Sequence, residues 1–165
     1  MGSRILKLCL TFSKRMIQKI FTDGAAIPNP GMGGWATVVI ENDKSTVHYG
    51  SEHDTTNNRM EMQAVIKAFE LAEPSDNFVI YSDSEYVVKG AMAWMFKWRN
   101  KGWVKVKNPD LWRKLYQLRI EKKFVTVEWV RGHNGNEYNE VADYYAGLAL
   151  NKKSNGELVL EYFPV

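Results

Sequence analysis

The sequence predicts an α/β fold with a five-stranded mixed sheet, in which the first three strands are antiparallel, the remainder are parallel, and helices flank the sheet. Two observations lead to this prediction. Short runs rich in β-branched and aromatic residues come first and are separated by turn-forming residues. Further apolar runs then alternate with segments of helical periodicity, the order that builds parallel strands and right-handed crossovers.

Each strand is assigned from its composition and its flanking residues. The loop AIPNPGMGG, with two prolines and three glycines, separates the first two strands. Asn42-Asp43-Lys44 supplies a hairpin turn between the second and third. Two later apolar runs, FVIYS and FVTVEWV, have the length of buried strands. The predicted strands cover residues 16–22, 34–41, 45–51, 78–82 and 124–130.

The helices are assigned from capping residues and apolar spacing. The segment TTNN offers N-caps for a first helix that ends before Pro74, with an apolar stripe at Met62, Val65, Ile66 and Phe69. The other helices are predicted over residues 84–98, 109–122 and 140–151.

Two positions on these helices have an ordinary structural reading. Glu61 is expected in the first turn of its helix, where the helix dipole favours a carboxylate. Tyr86, Gly90, Trp94 and Trp98 recur every four residues along the second helix. This spacing predicts that Trp94 packs in the core.

The composition is that of one globular domain. The 165 residues fit a single domain, and the hydrophobic and charged fractions, 45% and 25%, are ordinary for a soluble protein. The single cysteine, Cys9, excludes an internal disulfide and predicts a reducing compartment. No apolar run reaches the roughly 20 residues that span a bilayer. We therefore expect a cytoplasmic protein.

The first 15 residues differ from the rest, because they are basic, free of acids and partly apolar. We interpret residues 1–15 as an N-terminal extension that precedes a single domain over residues 16–165. The same composition is typical of transit peptides, so an organelle-targeted or viral protein is the alternative.

The charge is distributed unevenly along the chain, although the net charge is only +3. Residues 89–123 contain eleven Lys and Arg residues and two acidic residues. Such a block predicts binding of a polyanion at one place, with acids collected at another. A solvated charged face explains the block equally well.

Four acidic residues are candidates for a metal site. Asp23 and Asp83 follow apolar strands at their carboxyl ends, where the sites of open α/β sheets lie. Glu61 is expected at a helix start, and Asp143 one turn into the last helix. Mg²⁺ prefers carboxylate oxygens together with substrate phosphates, and two such ions support phosphodiester hydrolysis. Each acid taken alone also fits a helix cap or a turn.

The chain resembles type 1 ribonuclease H. The resemblance covers about residues 16–150 and consists of ordered segments, FTDGAAIPNPGMGGWA, TTNNRMEMQAVIKAFE, IYSDSEYVVKGAMAW, KWRNKGW, VKNPDLWRKL and VEWVRGHNGNEYNEVADYYAGLA. It implies a ribonuclease H-like fold with a basic handle. It also implies a monomeric endonuclease that cuts the RNA strand of RNA–DNA hybrids and leaves 3′-hydroxyl and 5′-phosphate ends.

The resemblance also implies roles for individual residues. The family's metal-binding carboxylates correspond to Asp23, Glu61, Asp83 and Asp143, which would hold two Mg²⁺ ions, with Mn²⁺ as a substitute. Its mobile-loop histidine corresponds to His133, which would assist proton transfer or product release. The flanking Gly132 and Gly135 agree with a mobile loop.

Substrate contacts follow from the same resemblance. The minor groove of the hybrid would be contacted by Asn29, Asn57 and Asn58, and a DNA phosphate by Thr56. Residues 89–114 resemble the family's basic handle, and this segment is called the handle below. The handle residues expected at the substrate are Lys97, Trp98, Arg99, Lys101 and Trp103, of which the basic ones would neutralise phosphates.

The chain departs from the family pattern at three places. Pro28 stands where many members have glycine, which alters the approach of the backbone to the hybrid. Glu85 stands where some members have an amide, and it adds a like charge near the site. The handle is a few residues shorter between Trp103 and Val106 than in well-known bacterial members.

Two other functions remain open from the sequence. A junction resolvase or transposase on the same fold would share the carboxylates, although the TTNN segment and the tryptophan-rich handle disfavour it. A non-catalytic hybrid-binding module would explain the handle but gives no reason for four acids beside phosphates. Cleavage of plain DNA duplexes would support the first alternative, and hybrid binding without cleavage the second.

Overall fold

The sheet has six strands and mixed pairing. The computed structural model describes residues 17–42 and 44–161, with the side chain of residue 161 left out. The extension predicted over residues 1–15 lies outside this part. The strands are β1 (Gln18–Ile27), β2 (Gly31–Ile40), β3 (Lys44–Thr55), β4 (Phe78–Ser82), β5 (Val125–Trp129) and β6 (Gly156–Glu161). Their order across the sheet is β5-β4-β1-β2-β3-β6.

The pairing confirms the predicted fold class with one correction. The strands β1, β2 and β3 pair antiparallel, and β1, β4 and β5 pair parallel, as expected. The prediction of five strands is wrong, because β6 adds a sixth strand antiparallel to β3.

The helices cover both faces of this sheet. They are α1 (Asn57–Leu71), α2 (Glu85–Lys89), a π-helical turn (Gly90–Trp94), α3 (Met95–Asn100), α4 (Pro109–Glu121) and α5 (Glu137–Lys152). Within the described part of the chain, none of the helices is both long and apolar enough to cross a membrane.

Alternating side chains of the sheet separate two apolar clusters. Ile20 belongs to the larger cluster, which contains the predicted stripe of α1 and residues of α2 to α4. Its neighbour Phe21 belongs to the smaller cluster beneath α5. Successive side chains of a strand point to opposite faces, so one strand serves both cores. The strand β1 therefore lies between the two apolar clusters, which pack against its opposite faces.

The strand β1 is longer than predicted. It continues through Asp23 to Ile27, and Asp23 pairs with Ala36 of β2. The parallel pairing with β4 ends earlier, at Phe21 opposite Tyr81. Asp23 thus lies inside β1, contrary to the prediction of a strand end. It nevertheless lies only two residues beyond Phe21, the last residue of β1 that pairs with β4.

The prediction that Trp94 packs in the core is wrong. Its side chain is exposed, and the neighbouring Met95 is fully buried. The cause is the π-helical turn, which inserts an extra residue per turn and shifts the later side chains around the helix. A spacing of four residues therefore does not keep one face across residues 90–94.

Candidate active site

Three carboxylates converge at one edge of the sheet. Asp23 comes from β1, Glu61 from α1 and Asp83 from the residue that follows β4. One carboxylate oxygen from each lies within 4.8 Å of the other two. The convergence predicted for these residues is therefore present, and these three are called the carboxylate cluster below.

Asp143 and His133 lie beside the carboxylate cluster. An open cavity of about 340 Å³ is lined by all four acids, His133, Asn57, Asn58 and Ser84. Asp143 is exposed and lies outside the group of three close oxygens, but a hydrogen bond joins it to Asp23. His133 lies in the exposed loop between β5 and α5, with a left-handed backbone conformation at a φ of 54°.

Two helix positions differ from the predictions. The helix α1 begins at Asn57 and has no acid in its first turn, so Glu61 lies in the second turn. The helix α5 begins at Glu137, three residues earlier than predicted, so Asp143 also lies beyond the first turn. The reason is that Thr56 and Asn136 cap these helices, each accepting from a backbone N–H three residues further on. Neither carboxylate is explained as a first-turn charge on the helix dipole.

A glycine lets the carboxylate cluster assemble. A Cβ atom on Gly24 would lie 2.3 Å from the carbonyl carbon of Met60 and 2.5 Å from the backbone nitrogen of Glu61. The helix α1 can therefore approach β1 this closely only where the strand has no side chain. The pair Asp23-Gly24 supplies both a carboxylate and the space for a second one. The sequence contained this signal in the pair DG, but the role was not predicted.

Asp83 is positioned by residues around the end of β5. The indole Nε1 of Trp129 donates to the backbone carbonyl of Asp83 over 3.1 Å. A Cβ atom on Gly132 would lie 2.6 Å from Asp83 Oδ2. The glycine thus leaves room for the carboxylate, a role beyond the loop mobility expected for it. Trp129 was not predicted as a site residue, and nothing in its sequence context indicates this contact.

The electrostatics of the carboxylate cluster favour neutral acids in the absence of a cation. Burial, followed by the hydrogen bond with Asp143 and the charge of Asp83, raises the pKa of Asp23 to about 8. Burial, followed by the charges of Asp23 and Asp83, holds the pKa of Glu61 well above its usual range. Like charges crowded into a low dielectric produce shifts in this direction. A bound cation would remove the repulsion.

The donor set fits a hard divalent cation. Asp23 and Glu61 are each only 8% exposed, and Glu61 Oε2 is buried without a hydrogen-bond partner among the described residues. A buried acceptor without a donor requires an explanation, and a ligand ion provides one. Carboxylate oxygens are the ligands that Mg²⁺ and Mn²⁺ prefer. Asp23, Glu61 and Asp83 can therefore hold such an ion, with Asp143 at the side.

Comparison with known proteins identifies the family of the chain. The family model described as RNase H matches residues 15–151 of the chain. The chain belongs to the ribonuclease H family. Its prediction as a type 1 member is confirmed, and the family's activity is cleavage of the RNA strand of RNA–DNA hybrids.

Relatives match over most of their length. The chain is 42% identical to a ribonuclease H of Francisella tularensis subsp. novicida over 144 residues, which is 84% of this chain and 94% of the relative. It is 44% identical to a ribonuclease H of Rickettsia massiliae over 132 residues, 77% of this chain and 86% of the relative.

Solved structures show the same fold. The crystal structure of LC9-RNase H1, a type 1 RNase H with the type 2 active-site motif, aligns with a TM-score of 0.72 at 25% identity. The alignment covers 90% of this chain and 80% of that one. A foamy viral protease-reverse transcriptase in complex with an RNA/DNA hybrid aligns with a TM-score of 0.70 at 21% identity, over 84% of this chain and 20% of that one.

Hydrogen bonds hold the polar residues that are expected at the minor groove. Asn57 Oδ1 accepts from the backbone N–H of Ala26 over 2.7 Å, and the backbone N–H of Asn57 donates to Asn29 Oδ1 over 3.1 Å. Asn57 and Asn58 are both exposed on the cavity, whereas Thr56 caps α1. Their contacts with the hybrid remain a prediction, and of these residues Asn57 and Asn58 lie at the cavity that the four acids line.

The handle presents basic side chains on an aromatic base. Lys97, Arg99 and Lys101 are exposed. Trp98 packs edge-on against the buried Trp112 with ring centroids 5.2 Å apart, and Trp103 packs in the same way against Tyr116 at 6.1 Å. Both tryptophans are half-buried in these contacts. Their predicted contact with substrate is untested, and holding the handle to α4 is the role that the structure shows.

The departures from the family pattern lie at the surface. Pro28 is exposed in the tight turn between β1 and β2. Glu85 is exposed and pairs with Lys89 over 3.0 Å, one helical turn away. The charge expected to act on the site is therefore paired with Lys89 at the surface.

Proposed function

We propose that the chain is a divalent-cation-dependent endonuclease that hydrolyses the RNA strand of RNA–DNA hybrids by two-metal-ion phosphodiester cleavage. The products would carry 3′-hydroxyl and 5′-phosphate ends. The observation that carries this proposal is the convergence of three carboxylate oxygens within 4.8 Å, two of them on nearly buried side chains. The proposal further takes the enzyme to be a cytoplasmic monomer with one catalytic domain over residues 16–165.

The acids would hold the ions, and the chain's other residues would orient the strand. Two bound divalent ions activate a water and stabilise the leaving oxygen in such reactions. Asp23, Glu61, Asp83 and Asp143 are the ligands in this proposal, with Mg²⁺ as the natural ion and Mn²⁺ as a substitute. Water adds to phosphorus as the bond from phosphorus to the 3′ oxygen breaks, so the phosphate stays on the 5′ end.

His133 would move a proton at this site. It lies on a loop that lines the same cavity as the four acids, and its side chain is exposed. An imidazole nitrogen there can take a proton from the attacking water or accompany the leaving product. The backbone of this loop is left-handed at His133 and at Gly135, with φ of 54° and 74°.

We assign selectivity for the hybrid to two groups of residues, one for each strand of the duplex. Asn29, Asn57 and Asn58 would contact the minor groove, where the 2′-hydroxyl distinguishes RNA from DNA. Thr56 and the basic residues of the handle would contact phosphates of the DNA strand. This division requires a duplex with one RNA strand and one flexible DNA strand.

The test is cleavage of four labelled duplexes, RNA–DNA, RNA–RNA, DNA–DNA, and DNA with a short RNA stretch, each with Mg²⁺ and with EDTA. We expect cation-dependent cutting of the RNA strand in the first and last only, with 5′-phosphate ends. Cleavage of the DNA–DNA duplex would instead support a resolvase-like nuclease. Hybrid binding by folded protein without cleavage in Mg²⁺ or Mn²⁺ would indicate a binding module.

A further inference from the structure

A network of polar contacts connects the carboxylate cluster to the handle. The guanidinium of Arg59 donates to both carboxylate oxygens of Asp110, over 3.0 and 2.7 Å, and to Asn108 Oδ1 over 3.4 Å. Arg59 lies on α1 two residues before Glu61, while Asn108 and Asp110 lie where the handle enters α4. A two-pronged contact between guanidinium and carboxylate fixes relative orientation as well as distance.

The side chain of Asn108 belongs to this network and does not cap its own helix. It is the N-cap residue of α4, yet its side chain makes no capping hydrogen bond, and its backbone is left-handed with a φ of 55°. Its amide donates to the hydroxyl of Tyr86 over 3.3 Å, and its oxygen accepts from Arg59. An asparagine at an N-cap usually accepts from the helix itself. Its side chain is committed to joining α1, α2 and α4.

The network continues into the aromatic base of the handle. The hydroxyl of Tyr86 accepts a second hydrogen bond from Trp112 Nε1 over 3.0 Å. The ring of Trp112 contacts Trp98, which lies between Lys97 and Arg99. Tyr86 itself lies three residues after Asp83. The basic residues of the handle are therefore connected to Glu61 and to Asp83 through two short series of contacts.

We infer that Arg59 and Asp110 form a clamp that sets the position of the handle relative to the carboxylate cluster. Arg59 is a positioning residue for hybrid binding, acting through Asp110 rather than by touching phosphate. Its charge is already neutralised, since it is paired with Asp110 and is also attracted by Glu52. The inference rests on the proposed hybrid cleavage, in which the handle and the cluster engage one duplex at two places.

A second ion pair between the same two helices provides a matched control. Glu70, near the end of α1, pairs over 2.8 Å with Lys114, which lies in α4 at the last position of the handle. The side chains of Lys114 and Glu70 are 52% and 35% exposed, and those of Arg59 and Asp110 are 29% and 60% exposed, so each pair has one partner that is more than half exposed. Glu70 lies at the opposite end of α1 from the cluster. Asp110→Ala and Glu70→Ala therefore each remove the acidic partner of a single ion pair between α1 and α4.

The experiment measures KM and kcat of Arg59→Ala, Asp110→Ala, the double variant and Glu70→Ala on a long hybrid. The same variants are then measured on hybrids shortened from the handle side until handle variants no longer matter. On the long hybrid we expect each clamp variant to raise KM by roughly two- to fivefold with kcat unchanged, the range of exposed ion pairs. The double variant should match the singles. On the short hybrid all should equal the wild type.

The sign of the Asp110→Ala effect separates the two possible roles of Arg59. If Arg59 bound phosphate directly, loss of Asp110 would free its charge and lower KM, which would overturn the inference. Additive effects of the two substitutions would overturn it as well. An equal rise of KM in Glu70→Ala would show general loosening of α1 against α4 and would also overturn it. Wild-type protein that cleaves no hybrid would instead refute the proposed function.

Discussion

The carboxylate cluster is buried, acidic and positioned by backbone, whereas the handle is exposed, basic and held by aromatic rings. Asp23 and Glu61 are each 8% exposed, and a close approach of α1 to Gly24 brings them together. The basic residues of the handle reach into solvent from a base of Trp98, Trp103 and Tyr116. Repulsion in the cluster is a cost that a cation offsets, while the charges of the handle cost little because water screens them. Substitutions in the cluster should therefore affect catalysis and metal-free stability, and those in the handle should affect affinity.

The largest effect is expected from Asp23→Asn. Turnover should fall by more than roughly 100-fold, because even groups that only support metal ligands contribute about 10- to 100-fold. Hybrid binding should persist, since the substitution also reduces repulsion of phosphate. The measurement is single-turnover cleavage together with a binding titration. Glu121→Gln, an exposed acid far along α4, is the control and should cleave at the wild-type rate. Normal turnover in Asp23→Asn would refute its assignment as a ligand.

The stability of the metal-free protein should depend on pH through the same residue. The unfolded chain loses the proton of Asp23 near its ordinary pKa of 3.8, whereas the folded protein keeps it until about pH 8. Folded protein therefore binds more protons between these values, and stability falls as pH rises through them.

We expect Tm of the wild type in EDTA to drop by roughly 5–10 °C more than that of Asp23→Asn between about pH 5 and about pH 8. Thermal unfolding followed by circular dichroism measures this difference. Mg²⁺ added at the higher pH should recover the loss in the wild type. Parallel pH profiles of the two proteins would contradict the shift.

The handle should respond in affinity and in salt dependence. Replacing Lys97, Arg99 and Lys101 with Ala should raise KM by roughly tenfold at low salt, with kcat little changed. The slope of log KM against log salt should fall by up to about 3, one for each phosphate that is no longer neutralised. Replacing three exposed lysines elsewhere, Lys44, Lys123 and Lys152, should leave the slope near that of the wild type. A slope unaltered by the handle substitutions would mean that these charges do not touch substrate.

The smallest effect is expected at the support of Asp83. Trp129→Phe keeps a ring but removes the donor to the Asp83 carbonyl. One neutral hydrogen bond is a modest contribution, so kcat should fall by roughly threefold while KM stays constant. Steady-state kinetics measure both, with Phe124→Leu, at the exposed residue just before β5, as the control. A rise in KM alone would place Trp129 at the substrate rather than behind the cluster.

The sequence predicts correctly those features of the fold that depend on residues close together in the chain. The strand predicted over residues 78–82 has those bounds in the structure, and Thr56 is among the expected caps of α1. The apolar stripe of α1 is buried as its spacing indicates. Capping, burial of a short apolar run and helical periodicity act within a few residues, so the sequence displays them directly.

The missed features depend on contacts between distant residues. The strand β1 continues past Asp23 because β2 pairs with it, and no local property of Gly24-Ala25-Ala26 requires this. The strand β6 has the alternating pattern GELVLE, a local signal that gains a partner only in β3. The π-helical turn reverses the expected burial of Trp94. In the site, the four acids and His133 follow from the motif, whereas the clamp of Arg59 and the support by Trp129 depend on residues that only the fold brings together.

The close contact at Gly24 has a consequence for the mutational landscape of this chain. Alanine, the smallest replacement, would already place a carbon 2.3 Å from the main chain of Met60, and that main chain leads directly into Glu61. A library selected for activity should therefore retain glycine alone at this codon, with no graded series of partly active variants. At exposed neighbours such as Ile27 and Pro28, by contrast, substitutions should change activity only gradually. Changes in activity should therefore arise from substitutions around Gly24 and not at Gly24 itself.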